Sequence, residues 1–247
     1  LAAARWVGPH LRKGMLVCLE SSTYPGTTDG EFRQELEKLS GLRGGVDFAL
    51  AFAPEREDPG NPRSELRRVP RVVGGLTPAC RDRAVRLYQR AIDQVVPVDD
   101  CRTAEAVKLT ENIFRFINIA LVNELKMIYG KMNIDIQTVI RAADTKPYGF
   151  MAFRPSAGVG GHCIPIDPFY LTWKAREFGM DTRMIQLSAE INEEMPKYVV
   201  HRLVEAMNHR GKTLKGARVL LVGVAYKPNI ADDRSSPAYA ILEELQR

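Results

Sequence analysis

The 247-residue sequence lacks any run of 18 apolar residues and any signal-peptide pattern. These absences predict a cytoplasmic protein with no membrane partner. Its four cysteines are scattered and form no CxxC pair, which argues against a metal site and against a disulfide framework. A cysteine with a special role is therefore expected to act singly, as a thiolate.

The sequence also lacks a basic block with interleaved aromatic residues. It carries 35 basic and 30 acidic residues, a net charge of +5, and the basic residues are spread along the chain. This spread argues against nucleic-acid binding and is compatible with a phosphorylated or carboxylate ligand. The length fits one large domain or two smaller ones. Because the first residue is Leu1 rather than Met, we expect a processed or truncated piece.

Short apolar runs alternate with helical patterns in the first hundred residues, which predicts an α/β sheet with parallel connections. Buried strands are predicted over 15–19, 48–53, 71–75 and 95–98, and helices over 1–11 and 29–39. Later helices are predicted over 167–178, 182–194, 196–208 and from 236 onward, with one more buried strand over 217–223.

Residues 102–131 have a different pattern. Apolar residues recur at helical spacing with neither Gly nor Pro before Gly130. This predicts one helix of roughly 28 residues, about 42 Å long. A helix of this length typically bridges two domains or forms the seam of a dimer.

The segment 158–168 combines three glycines, a cysteine and an aspartate just before a predicted helix. Glycines allow a ligand close to the backbone. The helix N-terminus can lower the pKa of the Cys163 thiol, and Asp167 can cap the helix or orient a water. Taken by themselves, these residues also fit a simpler alternative, a Gly-rich turn with a buried, inert cysteine.

Polar residues elsewhere suggest a binding site. Lys108 and Asn112 share one face of the long helix and can hold an oxyanion together, although a solvated polar face is the simpler alternative. Glu55 follows the second strand, and Ser22 and Thr23 follow the first, at the edge where α/β sheets bind ligands. The alternatives are that Glu55 is an ordinary charged residue of a loop, and that Ser22 and Thr23 belong to a hydroxyl-rich turn.

Together these segments resemble the UDP-glucose/GDP-mannose dehydrogenase family over essentially the whole chain. The motifs that carry the resemblance are STYPGT at 22–27, PEREDPG at 54–60, residues 103–112, residues 158–168, and 223–228 followed by 232–237. The resemblance implies an α/β chain with part of an N-terminal Rossmann-like domain (1–101), a helical middle domain (102–210) and the start of a second Rossmann-like domain (211–247). The long helix over 102–131 would form a homodimer.

The resemblance also implies roles for individual residues. Cys163 would be the nucleophile, Asp167 would position or activate water, and Glu55 would be the base for thioester hydrolysis. Lys108 and Asn112 would stabilise the oxyanion. NAD would contact Ser22, Thr23 and Arg234, and no metal is expected. The substrate would contact Glu55, Arg56, Lys108, Asn112, Arg154, Gly160, Gly161, Tyr226 and Lys227.

The implied activity is NAD-dependent oxidation of the C6 alcohol of a UDP-sugar to the acid, through a thiohemiacetal and a thioester on Cys163. The GGHC loop and the PERxxPG motif resemble the branch that acts on UDP-N-acetylhexosamines. We therefore favour UDP-N-acetylglucosamine, then UDP-N-acetylmannosamine, then UDP-glucose.

The chain departs from the family pattern at both ends. It contains no GxGxxG loop for the NAD pyrophosphate, and the second Rossmann-like domain is cut after Arg247, so truncation at both ends is expected. Two alternatives stay open. One is a non-catalytic dimeric module that binds nucleotide sugars, and the other is a cysteine-dependent hydrolase or acyltransferase.

Overall fold

The computed structural model describes residues 1–58, 60–61 and 64–246. Pro59 of the PEREDPG motif and Arg247, after which a truncation is predicted, lie outside the described residues. The chain divides into two compact units. Unit 1 comprises Leu1–Glu111 with Trp173–Gly179, and unit 2 comprises Asn112–Thr172 with Met180–Arg247. The predicted domain boundaries after residues 101 and 210 stay predictions.

Unit 1 contains a four-stranded sheet. Its strands lie side by side in chain order and are β1 (Leu16–Leu19), β2 (Ala49–Phe52), β3 (Arg71–Gly75) and β4 (Val95–Pro97). Each strand occurs where the sequence predicts one. The pairs β1–β2 and β3–β4 are parallel, whereas β2–β3 is antiparallel, with Ala51 opposite Gly75. The prediction of parallel connections throughout is therefore wrong for this one pair.

The antiparallel pair follows from the connection between β2 and β3. Parallel neighbours need a long crossover, which is usually a helix. Helices α2 (Arg33–Ser40) and α3 (Pro78–Tyr88) supply such crossovers for the other two pairs. The described part of residues 53–70 contains turns but no helix, so the chain returns in the opposite direction.

The core of unit 1 lies on both faces of β2, which is buried along its whole length. Leu50 and Phe52 point to one face, where Leu36 of α2 and Ala104 pack. Ala51 points to the other face, against Ala84 of α3. The chain begins with α1 (Ala2–Val7) and a 3₁₀ turn over Gly8–His10, which matches the predicted first helix, and a π-helical turn over Thr28–Phe32 leads into α2.

The predicted long helix is confirmed as α4 (Cys101–Lys131), which has 31 residues, begins in unit 1 and ends in unit 2. The remaining helices are α5 (Ile136–Ala143), α6 (Asp167–Arg176), α7 (Arg183–Asn208) and α8 (Pro237–Gln246). Helix α5 was not predicted, whereas α6 and α8 begin within a residue of their predicted positions. Among the described residues, no helix combines the length and the apolar character needed to cross a bilayer.

Two predictions for unit 2 are wrong. Helix α7 continues through Pro196, where the sequence predicts a break. Proline removes one helical hydrogen bond, but Pro196 and Met195 are both buried, and the packing of an unbroken helix outweighs that loss.

Residues 217–223 form no strand, and Leu220 and Val222 are exposed. A strand needs a hydrogen-bonded neighbour, and the described strands offer this segment none.

Candidate active site

Cys163 lies on the turn that leads into α6. Its carbonyl oxygen accepts hydrogen bonds from the amides of Ile166, at 3.1 Å, and Asp167, at 2.8 Å, so the thiol stands one turn before the helix. The side chain is exposed. The alternative of a buried, inert cysteine therefore does not fit this position.

Asp167, the first residue of α6, is bound to Asn112 on α4. The Asn112 amide nitrogen donates to the carboxylate oxygen Oδ2 over 2.6 Å, and both residues are buried. The predicted oxyanion donor and the predicted water-positioning residue are thus in direct contact. Lys108 lies one helical turn before Asn112 on α4 and is half-buried.

The glycines before Cys163 are packed tightly against the segment that contains Tyr226. A Cβ atom on Gly160 would lie 2.6 Å from the Cβ of Tyr226, and one on Gly161 would lie 2.8 Å from its ring. Gly161 also has a φ of +87°, which L-residues rarely adopt. Three of the predicted substrate-binding residues are therefore neighbours, and larger residues do not fit at the two glycine positions.

Arg234 also contacts the glycine loop, through its backbone. Its carbonyl oxygen accepts from the amide of Gly161 at 3.0 Å. Its guanidinium holds both carboxylate oxygens of Asp232, at 2.6 and 2.9 Å, and this contact lowers the pKa of Asp232 to about 2. The same pairing raises the pKa of Arg234, and Cys163 adds a smaller contribution. Arg234 therefore contacts both the glycine loop and Asp232.

A buried amide network fixes the chain that enters the glycine loop. Asn123 on α4 donates to Asn192 on α7 at 2.9 Å, and its own oxygen accepts from the amide of Ser156 at 2.8 Å. The Ser156 hydroxyl binds the carbonyl of Gly158 at 2.6 Å. No sequence pattern predicted this network, although an asparagine in mid-helix opposes helix propensity and both Asn112 and Asn123 lie in the middle of α4.

Two predicted substrate-binding residues have other contacts in unit 2. Arg154 donates to Gln137 of α5 at 3.0 Å. The ammonium of Lys227 stands 5.9 Å from the centre of the Tyr226 ring. Neither contact tests whether these residues meet a substrate, so both roles stay predictions.

In unit 1, the loops after β1 and β2 leave the same edge of the sheet. The amide of Ala53 donates to Leu19 and that of Glu55 to Glu20, so the two loops run side by side. Ser22 and Thr23 lie in the first loop, where the hydroxyls of Thr23 and Thr27 are 2.6 Å apart. Carboxyl ends of parallel strands are the usual ligand-binding edge of such a sheet, so the predicted roles of Ser22 and Thr23 are compatible with this position and stay predictions.

Glu55 is held by Arg71. The Arg71 guanidinium donates to Oε2 at 2.6 Å, and Oε1 accepts from the amides of Arg56 and Glu57. Partial burial by itself raises the pKa of Glu55, but these hydrogen bonds and the charge of Arg71 outweigh it, so the pKa lies below its ordinary value. Arg56 forms its own ion pair with Glu111 at 2.6 Å.

Glu105, for which the sequence predicted no role, is fully buried on α4. Its carboxylate accepts from the amide of Gly26 at 2.6 Å and from the amide and hydroxyl of Thr28 at 2.8 and 2.6 Å. Burial raises the pKa of Glu105, and the hydrogen bonds from Thr28 and Gly26 only partly oppose this. The partners are more than 75 residues away in sequence, so no local pattern could have revealed them.

Within the described part of the chain, no three His, Cys, Asp or Glu side chains are arranged to hold a metal ion. A mixed, mostly parallel sheet, followed by a helical region with an exposed cysteine before a helix, defines an α/β protein with a helical central region. The chain belongs to the UDP-glucose/GDP-mannose dehydrogenase family. Residues 1–92 match its NAD binding domain and residues 102–194 its central domain.

Curated relatives and solved structures agree with this assignment. The chain is 41% identical over 98% of its length to the UDP-N-acetyl-D-glucosamine 6-dehydrogenase of Pseudomonas aeruginosa. It is 38% identical over 99% to the UDP-N-acetyl-D-mannosamine dehydrogenase of Pyrococcus horikoshii. The Pyrococcus horikoshii structure superposes with a TM-score of 0.93 at 36% identity, over 99% of this chain and 57% of that one. The chain spans 57% of the length of each of these two curated relatives.

Proposed function

We propose that the whole protein is an NAD-dependent nucleotide-sugar 6-dehydrogenase that converts a UDP-N-acetylhexosamine, UDP-N-acetylglucosamine first, to its uronic acid. The observation that carries the proposal is the exposed Cys163 before α6, next to an Asp167 that is bound by Asn112. The substrate class is supported by relatives named for UDP-N-acetylglucosamine and UDP-N-acetylmannosamine, at 41% and 38% identity.

NAD would accept one hydride in each of two successive oxidations of C6, and in the first oxidation a base takes the proton of the C6 hydroxyl. Between them, the Cys163 thiolate adds to the C6 aldehyde, a carbon–sulfur bond forms, and the carbonyl electron pair moves to oxygen. Lys108 by its charge and Asn112 by its amide N–H stabilise this oxyanion. Loss of the second hydride from the thiohemiacetal leaves a thioester on Cys163.

Hydrolysis then releases the acid. Water adds to the thioester carbonyl, the carbon–sulfur bond breaks, and the thiolate leaves with its electron pair. Asp167 orients this water, and Glu55 accepts a proton from it. The lowered pKa of Glu55 keeps its carboxylate ionised near neutral pH, so the group is able to accept a proton, although as a weak base. Thr23 with Ser22, and Arg234, contact NAD in this proposal.

The proposed partner is a second copy of the chain, docked along α4 (102–131). Phe114, Leu121 and Ile128 recur every seven residues along this helix, and all three are exposed. Phe114 and Leu121 line an apolar groove that residues of α5 and of the segment 149–153 complete. An apolar stripe of this kind on a long helix is typical of a helix–helix interface. The domain boundaries after 101 and 210 belong to the same proposal, and a cytoplasmic location stays a prediction.

The test is a spectrophotometric assay for NADH with the complete encoded protein and a panel of UDP-sugars. We expect two NADH for each sugar, with UDP-N-acetylglucosamine the best substrate. One NADH for each sugar, or thioester hydrolysis without any NAD requirement, would contradict the proposal. A preference for UDP-glucose would contradict only the substrate assignment.

A further inference from the structure

Glu105 links α4 to the loop after β1, which is residues 20–28. This carboxylate is fully buried, and three donors of Gly26 and Thr28 converge on it within 2.8 Å. A buried carboxylate is costly unless such donors compensate for the lost water. All three of these donors belong to the loop after β1, so the loop conformation and the burial of Glu105 depend on each other.

The residues that bind Glu105 are connected to a residue expected to contact NAD. Thr27 lies between the two anchored residues, and its hydroxyl is hydrogen-bonded to that of Thr23 and to the carbonyl of Tyr24. Next to these buried hydrogen bonds, Asp29 forms an ion pair with Arg102 of α4 at 2.7 Å. A displacement of Gly26 or Thr28 is therefore transmitted directly to Thr23.

We propose that Glu105 is a positioning residue for cofactor binding, which fixes the β1 loop in the conformation that binds NAD. This rests on the proposed role of Thr23 in contacting NAD. Glu105 acts through the loop and does not itself touch the cofactor. It lies one turn before Lys108 on α4, so the same helix orders the cofactor loop and carries a proposed oxyanion donor.

The test compares Glu105→Gln with wild type in the complete encoded protein, by calorimetric NAD binding and by amide hydrogen exchange. Glutamine keeps the shape but presents an NH₂ group to the Gly26 amide, so one buried donor loses its acceptor. We expect the Kd and KM for NAD to rise about 10-fold or more. Exchange at Gly26 and Thr28 should accelerate, while the Kd for the UDP-sugar stays unchanged. Glu190→Gln, at an exposed position on α7, is the matched control.

A folded Glu105→Gln protein that binds NAD as tightly as wild type would overturn the inference. Should that variant fail to fold, Thr28→Val and Thr28→Ser decide the question. Valine removes one donor and should weaken NAD binding about 3-fold, whereas serine retains the hydroxyl and should not. Equal NAD binding by these two variants would also overturn it. Binding is measured without turnover, so a protein that binds NAD but oxidises no UDP-sugar contradicts only the proposed function.

Discussion

The side-chain nitrogen of Asn112 donates to the carboxylate of Asp167 over 2.6 Å, and both groups are buried. This hydrogen bond joins α4 to the first residue of α6, the helix that Cys163 precedes. An amide NH₂ group has two donors, so Asn112 can hold Asp167 with one and an oxyanion with the other. The two proposed catalytic roles are therefore coupled through one side chain.

Replacement of Asn112 by alanine should impair both roles. Asp167 would lose a donor to its buried carboxylate, which should lower the free energy of unfolding by about 1–3 kcal/mol. Loss of an oxyanion donor should lower kcat about 100- to 1,000-fold. Urea denaturation and the NADH assay measure the two effects. Asn208→Ala is the control, because Asn208 is an exposed asparagine at the end of α7. Equal effects of the two substitutions would argue against the coupling.

Charged substitutions on the apolar stripe of α4 should separate the proposed dimer. Leu121→Glu places a carboxylate in the middle of the interface, where desolvation is costly, and Ile117→Glu does so one turn earlier. We expect light scattering to give half the wild-type mass. Leu87→Glu on α3 is the matched control, because Leu87 and Leu121 are both 49% exposed. A wild-type mass for the Leu121 variant would refute this interface.

The Arg71–Glu55 pair should make stability depend on pH. The pKa of Glu55 is lowered in the folded state, so its contribution is present above the ordinary pKa of 4.5 and is lost as pH falls through the folded value. Arg71→Met removes the contact that lowers the pKa while burial remains, so the pKa of Glu55 should rise. Carboxyl NMR titration measures this shift directly. The control is Arg67→Met, which breaks an exposed pair with Asp93, and an unshifted Glu55 in the Arg71 variant would contradict the assignment.

Most elements that the sequence predicts correctly have a local signal. The long helix follows from an uninterrupted 3.6-residue pattern, and the cysteine loop follows from consecutive residues in 158–168. The wrong predictions concern packing. Pro196 is a local breaker that tertiary burial overrides, and the strand predicted over 217–223 needs a partner that its own apolar residues do not specify.

Arg71 and Glu105, which hold the loops of the candidate site, had no local signal in the sequence. Arg71 and Glu105 act on partners 16 and 77 residues away, and no sequence spacing links either residue to its partner. Both look like ordinary charged residues in sequence, where such residues are usually exposed. Only the fold reveals that they are buried and that each fixes a loop at the edge of the sheet.

Cys163→Ser in the complete protein tests the covalent step. The first hydride transfer needs no bond to residue 163, so some NADH should still form. Serine is a far weaker nucleophile at neutral pH because its alkoxide is scarcely populated, and the second oxidation should stall. Lys108→Ala should instead slow both oxidations, by about 100- to 1,000-fold, since each develops negative charge on the same oxygen. Cys18→Ser is the control, because burial raises the pKa of Cys18 to about 11 and keeps that thiol protonated. A Cys163→Ser enzyme that makes two NADH for each sugar at a near-normal rate would exclude the thioester and reduce Cys163 to a residue of the turn before α6.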